Sequence, residues 1–379
     1  MKNQNIARAI FKDIQKKLFK GKAIIILGPR QAGKTTLAER ILQDYPNECL
    51  SLNADESDTR KILSDISLEK LKKIIGNKRI IFIDEAQRVE NIGLLLKIIV
   101  DKIKNVQVIA TGSSALELNE TLKEPLTGRK YEYYLYPFLF SEMVAHHDVL
   151  QEKKRIEERL IYGAYPEIVL IIEDKSQLLK LLADSYLYKD LLLSGEISNV
   201  ALLEKILLSL ALQIGAEVSI NELAQNVSSS SPTVRKFIHL LEKCFVIFTL
   251  SSYSKNVRNE LKKSQKIYFW DNGIRNAIVG NFQDINLRTD KGALWENFLI
   301  AERRKLLMTR QTVAKPYFWR TTQQQEIDYV EEREGKLSAW EFKFKRGSAK
   351  IPLTFTNNYP QAKTKIIDIE NFDEFLLEE

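Results

Sequence analysis

Cysteine, histidine and methionine are all scarce in this chain: two, three and three of 379 residues. Cys49 and Cys244 each lie in an apolar segment and read as buried free thiols, not as a disulfide. With three histidines, two of them adjacent at His146 and His147, they are too few ligands to build a Cys/His metal site. Also missing is any apolar run near the roughly 18 residues that a membrane span needs. The N-terminal segment carries Lys16, Lys17, Lys20 and Lys22 where a secretory leader would be apolar, so neither a span nor a leader is expected, and a cytoplasmic protein is. No low-complexity tract or internal repeat is visible, which excludes disordered and solenoid architectures.

What remains is ordinary globular composition, 44% apolar and 28% charged, in a chain longer than one hydrophobic core supports. Two to four domains are therefore expected. Net charge is +7, and its distribution is uneven. Between Ser219 and Lys266 stand eight Lys or Arg against three Glu, an excess concentrated as a nucleic-acid footprint would be.

The short apolar run Ala23 to Leu27 reads as a buried parallel strand. It feeds Gly28-Pro29-Arg30-Gln31-Ala32-Gly33-Lys34-Thr35-Thr36, a Gly-rich turn that opens a helix near Lys34. Gly28 and Gly33 allow backbone N–H groups to turn toward phosphate oxygens at the positive end of that helix. Lys34 would reach the β and γ phosphates and Thr35 would hold magnesium. A second buried strand, Ile80 to Ile83, ends in Asp84, placed for Mg2+, and Glu85, placed to deprotonate an attacking water. Together they predict ATP binding with hydrolysis.

Cys49 to Asn53, Val106 to Thr111 and Tyr131 to Leu135 would complete a parallel sheet with helices on both faces, an α/β fold. The strand ending Thr111-Gly112-Ser113 offers a hydroxyl, with Ser113 the candidate, that could sense the γ phosphate or simply cap the next helix. Arg129 is the candidate arginine finger. If it acts toward a neighbouring subunit, it implies a homo-oligomer.

With these residues assembled, the chain resembles a family of prokaryotic AAA-type ATPases, often called archaeal-type, along nearly its whole length. The landmarks in order are GPRQAGKTTL, IIFIDEAQ, VIATGSSALEL, LTGRKYEYYLYPFLFSEM, YGAYPEIV, YFWDNGIRNAIVG and GALWENFLIAER. One segment departs from the family's usual GG before Pro-Glu, reading Gly163-Ala164-Tyr165-Pro166-Glu167 here. The resemblance implies ATP binding, a winged helix and a nuclease-like C-terminal fold. The corresponding domains are 1–136 (P-loop ATPase), 137–200 (helical bridge, with Leu179, Leu182, Tyr186 and Leu193 as its apolar face), 201–282 (winged helix) and 283–379 (nuclease-like).

In the third of these, Ala201 to Ile214 reads as a helix, Ser219 and Glu222 as the capping box of a second, and Ser231 with Pro232 as the start of a third that runs to Lys243. VIFTLSSY then reads as a wing strand. Helical spacing puts Val234, Phe237, Ile238 and Leu241 inward and Thr233, Arg235 and Lys236 outward. With Lys255, Arg258, Lys262 and Lys263 in or after the wing, these are the candidate DNA contacts.

From Gly292 onward the pattern is a helix (Leu294 to Leu307), a strand (Pro316 to Arg320), a hairpin about Gly335, and a later strand (Lys365 to Ile369). Period-two alternation puts Glu341 and Lys343 on one side of their strand, and the hairpin can bring Asp328 beside them. Two carboxylates sharing magnesium with a lysine nearby resemble the PD-(D/E)xK nuclease superfamily, with Glu296 contributing from its helix. Glu-x-Lys occurs five times in the chain, but only at Glu341 on an apolar strand after such a hairpin. The expected whole is an ATPase acting on DNA. The alternatives are a nucleotide switch whose C-terminal half binds a protein, and a DNA-binding ATPase whose nuclease-like domain is inactive.

Overall fold

A computed structural model describes residues 6–64, 67–113, 125–171, 173–193, 199–254, 265–345, 347 and 350–378, without the side chains of 185–193. The candidate DNA contacts Lys255, Arg258, Lys262 and Lys263, the helix expected at ALEL, and the side chains of Tyr186 and Leu193 lie outside that description. Two compact units result: Ala7–Pro137 with Lys243–Phe245, and Met1–Ile6 with Phe138–Glu242 and Val246–Glu379. Among the described residues no helix is long and apolar enough to cross a membrane. Cys49 and Cys244 are free thiols, as expected.

The first unit holds a five-stranded parallel sheet in the order β2-β3-β4-β1-β5. Its strands are β1 (Ala23–Leu27), β2 (Cys49–Asn53), β3 (Ile80–Asp84), β4 (Gln107–Gly112) and β5 (Lys130–Tyr134). Strand β1 is wholly buried, and β3 is buried up to Ile83. Such continuous apolar runs belong to strands covered on both faces. Ile24, Ile26, Ile80, Phe82 and Ile109 pack with Leu37, Ala38 and Ile41 of the helix Lys34–Leu42 and with Ile14 of the helix Phe11–Lys17. All five strands run the same way, so the phosphate turn after β1, Asp84 after β3 and Ser113 after β4 emerge at one end of the sheet.

The second unit is built on a seven-stranded sheet ordered β12-β11-β10-β9-β7-β8-β6. In chain order these are β6 (Glu217–Val218), β7 (Ile247–Ser252), β8 (Gln265–Phe269), β9 (Lys315–Arg320), β10 (Glu326–Arg333), β11 (Lys336–Phe342) and β12 (Lys363–Ile367). Sequence patterning missed β6 and β8. The expected boundary between residues 282 and 283 cuts through this sheet, because β7 pairs in parallel with β9 at Ser251↔Tyr317 and Ser252↔Phe318. One sheet therefore joins what the pattern separates into two domains.

Within that unit the helices Val200–Leu212, Ile220–Asn226 and Ser231–Lys243 precede β7. Ser219 caps the second of these by accepting the Glu222 N–H at 3.3 Å. The third is capped by Ser230, not Ser231: Ser230 Oγ accepts the Thr233 N–H, while the Ser231 hydroxyl donates to Asn221 Oδ1 at 2.7 Å. Pro232 consequently sits one place further into the helix than its sequence pattern implies.

The motif DNGIRN proves to be an internal staple. Asp271 accepts the N–H groups of Ala164, Gly273 and Ile274, and Asn276 donates to the carbonyls of Leu160 and Ile161. A Cβ at Gly163 would lie 1.9 Å from Asp271 Oδ1, so only glycine fits there. Ala164 contributes its backbone N–H to that contact.

Candidate functional site

The phosphate loop is shaped by close backbone packing. A Cβ at Gly28 would fall 1.9 Å from the Leu135 carbonyl oxygen, and Gly33 begins the helix Lys34–Leu42 at φ +91. Lys34 is buried, and its ammonium donates to the carbonyls of Gly28 (2.9 Å) and Pro29 (2.8 Å). A phosphate must compete with these two carbonyls for it. Arg8, which sequence reading missed, donates to the Ala32 carbonyl at 3.1 Å and to that of Tyr136, tying the loop to β5's far end.

At the tip of β3 the expected residues meet. Thr35 Oγ1 donates to Asp84 Oδ2 at 2.8 Å, close to the roughly 2.9 Å between neighbouring oxygens around magnesium at 2.0–2.1 Å. Both are hard oxygen donors, so the pair fits Mg2+. The Thr111 hydroxyl donates to the other Asp84 oxygen and accepts the Glu85 N–H at 3.3 Å. Glu85 stands in the left-handed region at φ +50, which turns its side chain toward Ser113 and Gln87. Ser113 Oγ lies 3.2 Å from Glu85 Oε2, and Gln87 Nε2 donates to both of them. Gln87 was missed at the sequence level, although its place in IDEAQ, two residues past Glu85, was the available signal. Thr111 was visible only as part of a turn.

Arg129 lies away from the phosphate loop of its own chain. It directly precedes β5, whose first residue pairs with Ala23, the first of β1, whereas the phosphate loop follows the last. A five-residue strand, about 16 Å, separates them. Arg129 instead pairs with Asp101 at 2.8 Å. Within one chain it does not reach the nucleotide.

In the second unit Arg235 and Lys236 are exposed and Val234, Phe237, Ile238 and Leu241 buried, the face expected from helical spacing. Thr233 is half-buried and engaged with Ser230.

The C-terminal residues also converge. Lys343 Nζ donates to Glu341 Oε1 at 2.7 Å, and Asp328 Oδ2 accepts the Phe342 N–H at 2.7 Å. Burial, with the charges of Glu296 and Glu341 added, pushes the Asp328 carboxyl well above the carboxylate range. Glu341 Oε2 is buried without a hydrogen-bond partner. Two hard carboxylates, one with an orphaned oxygen, fit a divalent cation. Among the described residues, however, no set of three or more His, Cys, Asp or Glu is arranged to hold one. Glu296 accepts from Tyr268 (2.6 Å) and Lys266 (3.2 Å) of β8. Lys266 also binds Glu326. Burial works against its ammonium, but Glu296 and Glu326 outweigh that and hold its pKa above the ordinary lysine value. Lys266 therefore leaves the basic footprint in which its sequence position had counted it.

Residues 20–144 match a family model described as an AAA domain. The matched segment carries the phosphate loop and the tip of β3. Residues 153–285 and 291–371 match two models described as domains of unknown function (DUF8612 and DUF4143). An uncharacterized protein of Mycobacterium tuberculosis is 25% identical over 335 residues, 87% of this chain and 72% of that protein. The replication factor C large subunit of Pyrococcus horikoshii is 37% identical over 95 residues, 24% of this chain and 20% of that protein. Among solved structures, the Thermotoga maritima RuvB Holliday junction branch migration motor covers 68% of this chain and 95% of its own at 14% identity. Its TM-score of 0.33 is too low to carry an argument.

Proposed function

We propose that the protein hydrolyses ATP at the AAA-type site and couples turnover to binding or processing DNA. The observation that carries the hydrolytic reading is the junction of Thr35, Asp84, Thr111 and Glu85 at one strand end. Thr35 and Asp84 would hold magnesium, which would supply charge neutralisation for the phosphates. Lys34 binds the phosphate oxygens, and Glu85, aligned by Ser113 and Gln87, accepts the proton of the attacking water. Arg129 serves as a finger only for a neighbouring copy's nucleotide, in a homo-oligomer.

Residues 201–282 would form a winged helix that presents Arg235 and Lys236 to phosphates, with Lys255, Arg258, Lys262 and Lys263 adding to that charge. The C-terminal half would be nuclease-like: Asp328 and Glu341 would hold a cation, and Lys343 would stabilise developing negative charge. Glu296 argues for a second reading, a domain that holds DNA without cutting it, because its carboxylate already serves Lys266 and Tyr268.

The test is ATP turnover with single-stranded, duplex and branched DNA, alongside nicking of the same DNA with Mg2+ or Mn2+. Stimulated turnover is expected, and nicking that is lost in Lys343→Ala marks a nuclease. Turnover indifferent to every DNA refutes the coupling.

A further inference from the structure

At the end of the five-stranded sheet opposite the phosphate loop, three chain segments meet. They are the Phe19–Lys22 turn before β1, Arg79 before β3, and Lys104–Val106 before β4. The strand register brings them together, with Ile80 opposite Gln107 and Ile24 opposite Ile109. They enclose a cleft of about 600 Å³ walled by Lys22, Arg79, Lys104 and Asn105 over an apolar floor of Val100 and Ile103. Among the described residues no acidic one lines it. Lys22 and Lys104 have no ion-pair partner among the described residues, and the Lys22 ammonium lies 5.1 Å from the centroid of the Tyr131 ring, a contact it can leave for a phosphate. Arg79 pairs only with Glu48, in a contact with both side chains more than a third exposed, which exchanges readily for another anion.

The turn that bears these lysines is held in place from inside. Gln107, buried in β4, accepts the Phe19 N–H at 2.7 Å and donates to the Lys22 carbonyl at 2.9 Å. Phe19 is held at φ +58, a left-handed conformation that a bulky aromatic adopts only when its surroundings impose it. The Arg79 guanidinium lies 4.9 Å from its ring centroid, tying two of the three segments together. The basic turn is thereby fixed in place. The hydrolytic site, at the other end of the sheet, makes no use of it.

The geometry points to a docking groove for the sugar–phosphate backbone of a nucleic acid, on the ATPase unit itself. This rests on the reading that the protein acts on DNA and adds a contact surface separate from Arg235 and Lys236. Long cationic side chains with an asparagine are the usual partners of backbone phosphates. A single small phosphate is instead gathered by backbone N–H groups at a helix N-terminus, whereas all three segments here lead into strands. A membrane surface would not reach the floor of a concave cleft.

The test is fluorescence anisotropy of labelled duplex and single-stranded oligonucleotides with the full chain over a salt series. Lys22→Gln/Arg79→Gln/Lys104→Gln should flatten the slope of log affinity against log salt by about 2.7 units on duplex, three phosphate contacts' worth. The exchange Lys22→Arg/Arg79→Lys/Lys104→Arg should keep the wild-type slope. If the triple glutamine variant melts early, Lys22→Gln and Lys104→Gln singly should each remove about 0.9 units. An unchanged slope in these variants, with loss in Arg235→Gln/Lys236→Gln, overturns this groove while leaving the functional reading intact. A wild type that binds no nucleic acid overturns both. Saturable binding of inorganic phosphate or of poly-glutamate, abolished by the triple variant while nucleic-acid affinity is unchanged, reassigns the cleft to those ligands and overturns the proposal.

Discussion

Replacing Lys266 by methionine tests how the second unit balances its buried charge. The ammonium is 3% exposed, lies 3.2 Å from Glu296 Oε1, also binds Glu326, and sits 5.4 Å from the centroid of the Phe318 ring. Methionine fills nearly the same volume, so little of the effect is cavity formation. What changes is that two carboxylates lose their cation beside Asp328, whose own charge burial and Glu296 already disfavour. Removing one partner of a buried ion pair costs about 3–5 kcal/mol. For a unit of this size each kcal/mol moves the midpoint by roughly 2–4 °C, so a fall of about 6–20 °C in Tm is expected at pH 7. Scanning calorimetry of the full chain measures it. Adding Glu296→Gln should recover part of the loss, because one uncompensated charge disappears. A Tm within 2 °C of wild type, or a double variant no more stable than the single, would refute the reasoning. The same substitution should leave the salt slope of DNA binding unchanged, since Lys266 faces the interior.

Other outcomes follow from the same geometry. Lys34→Ala should abolish ATP binding, whereas Glu85→Gln should bind ATP and stop turning it over. Normal steady-state hydrolysis by purified Glu85→Gln removes that residue from its role. Arg129→Ala should lose on the order of 10³-fold in turnover, and mixing it with Lys34→Ala chains should restore activity, each copy supplying what the other lacks. Turnover within a few-fold of wild type would show that the finger is elsewhere or absent. Asp290 is raised by burial but held down to about 2 by Arg288 and Arg275, against an ordinary 3.8. A depressed carboxylate contributes stability above its unfolded pKa and loses it as pH falls through the folded one. Denaturant titrations should therefore show about 2 kcal/mol disappearing between about pH 4 and pH 2, a step absent in Asp290→Asn.

The phosphate site was legible because its chemistry is local. Gly28 to Thr35 must be contiguous to wrap phosphates, and Asp84-Glu85 must end a buried strand, so both appear as short words in the chain. Arg235 and Lys236 were legible for a similar reason, since helical spacing alone puts them opposite Val234, Phe237 and Ile238. Glu341 and Lys343 shared a face by strand alternation, and a hairpin was enough to carry Asp328 to them.

Long-range pairing decided the rest, and no local pattern encodes it. Lys266 looked like one more surface lysine until β8 took its place in the seven-stranded sheet beside Glu296, 30 residues away, and Glu326, 60 residues away. Arg129 follows a glycine turn in either description. Only the parallel register of β5 on β1 puts it at the end away from the phosphates. The basic groove gathers Lys22, Arg79 and Lys104 from three separate strand starts, and Gln107 holds the first of them in place from within β4. Residue type and spacing by themselves determined a phosphate-loop turn after one buried strand and a carboxylate tip on another. Which charges face water and which are spent inside was decided by sheet order, because a strand's neighbours depend on its pairing and not on its sequence alone.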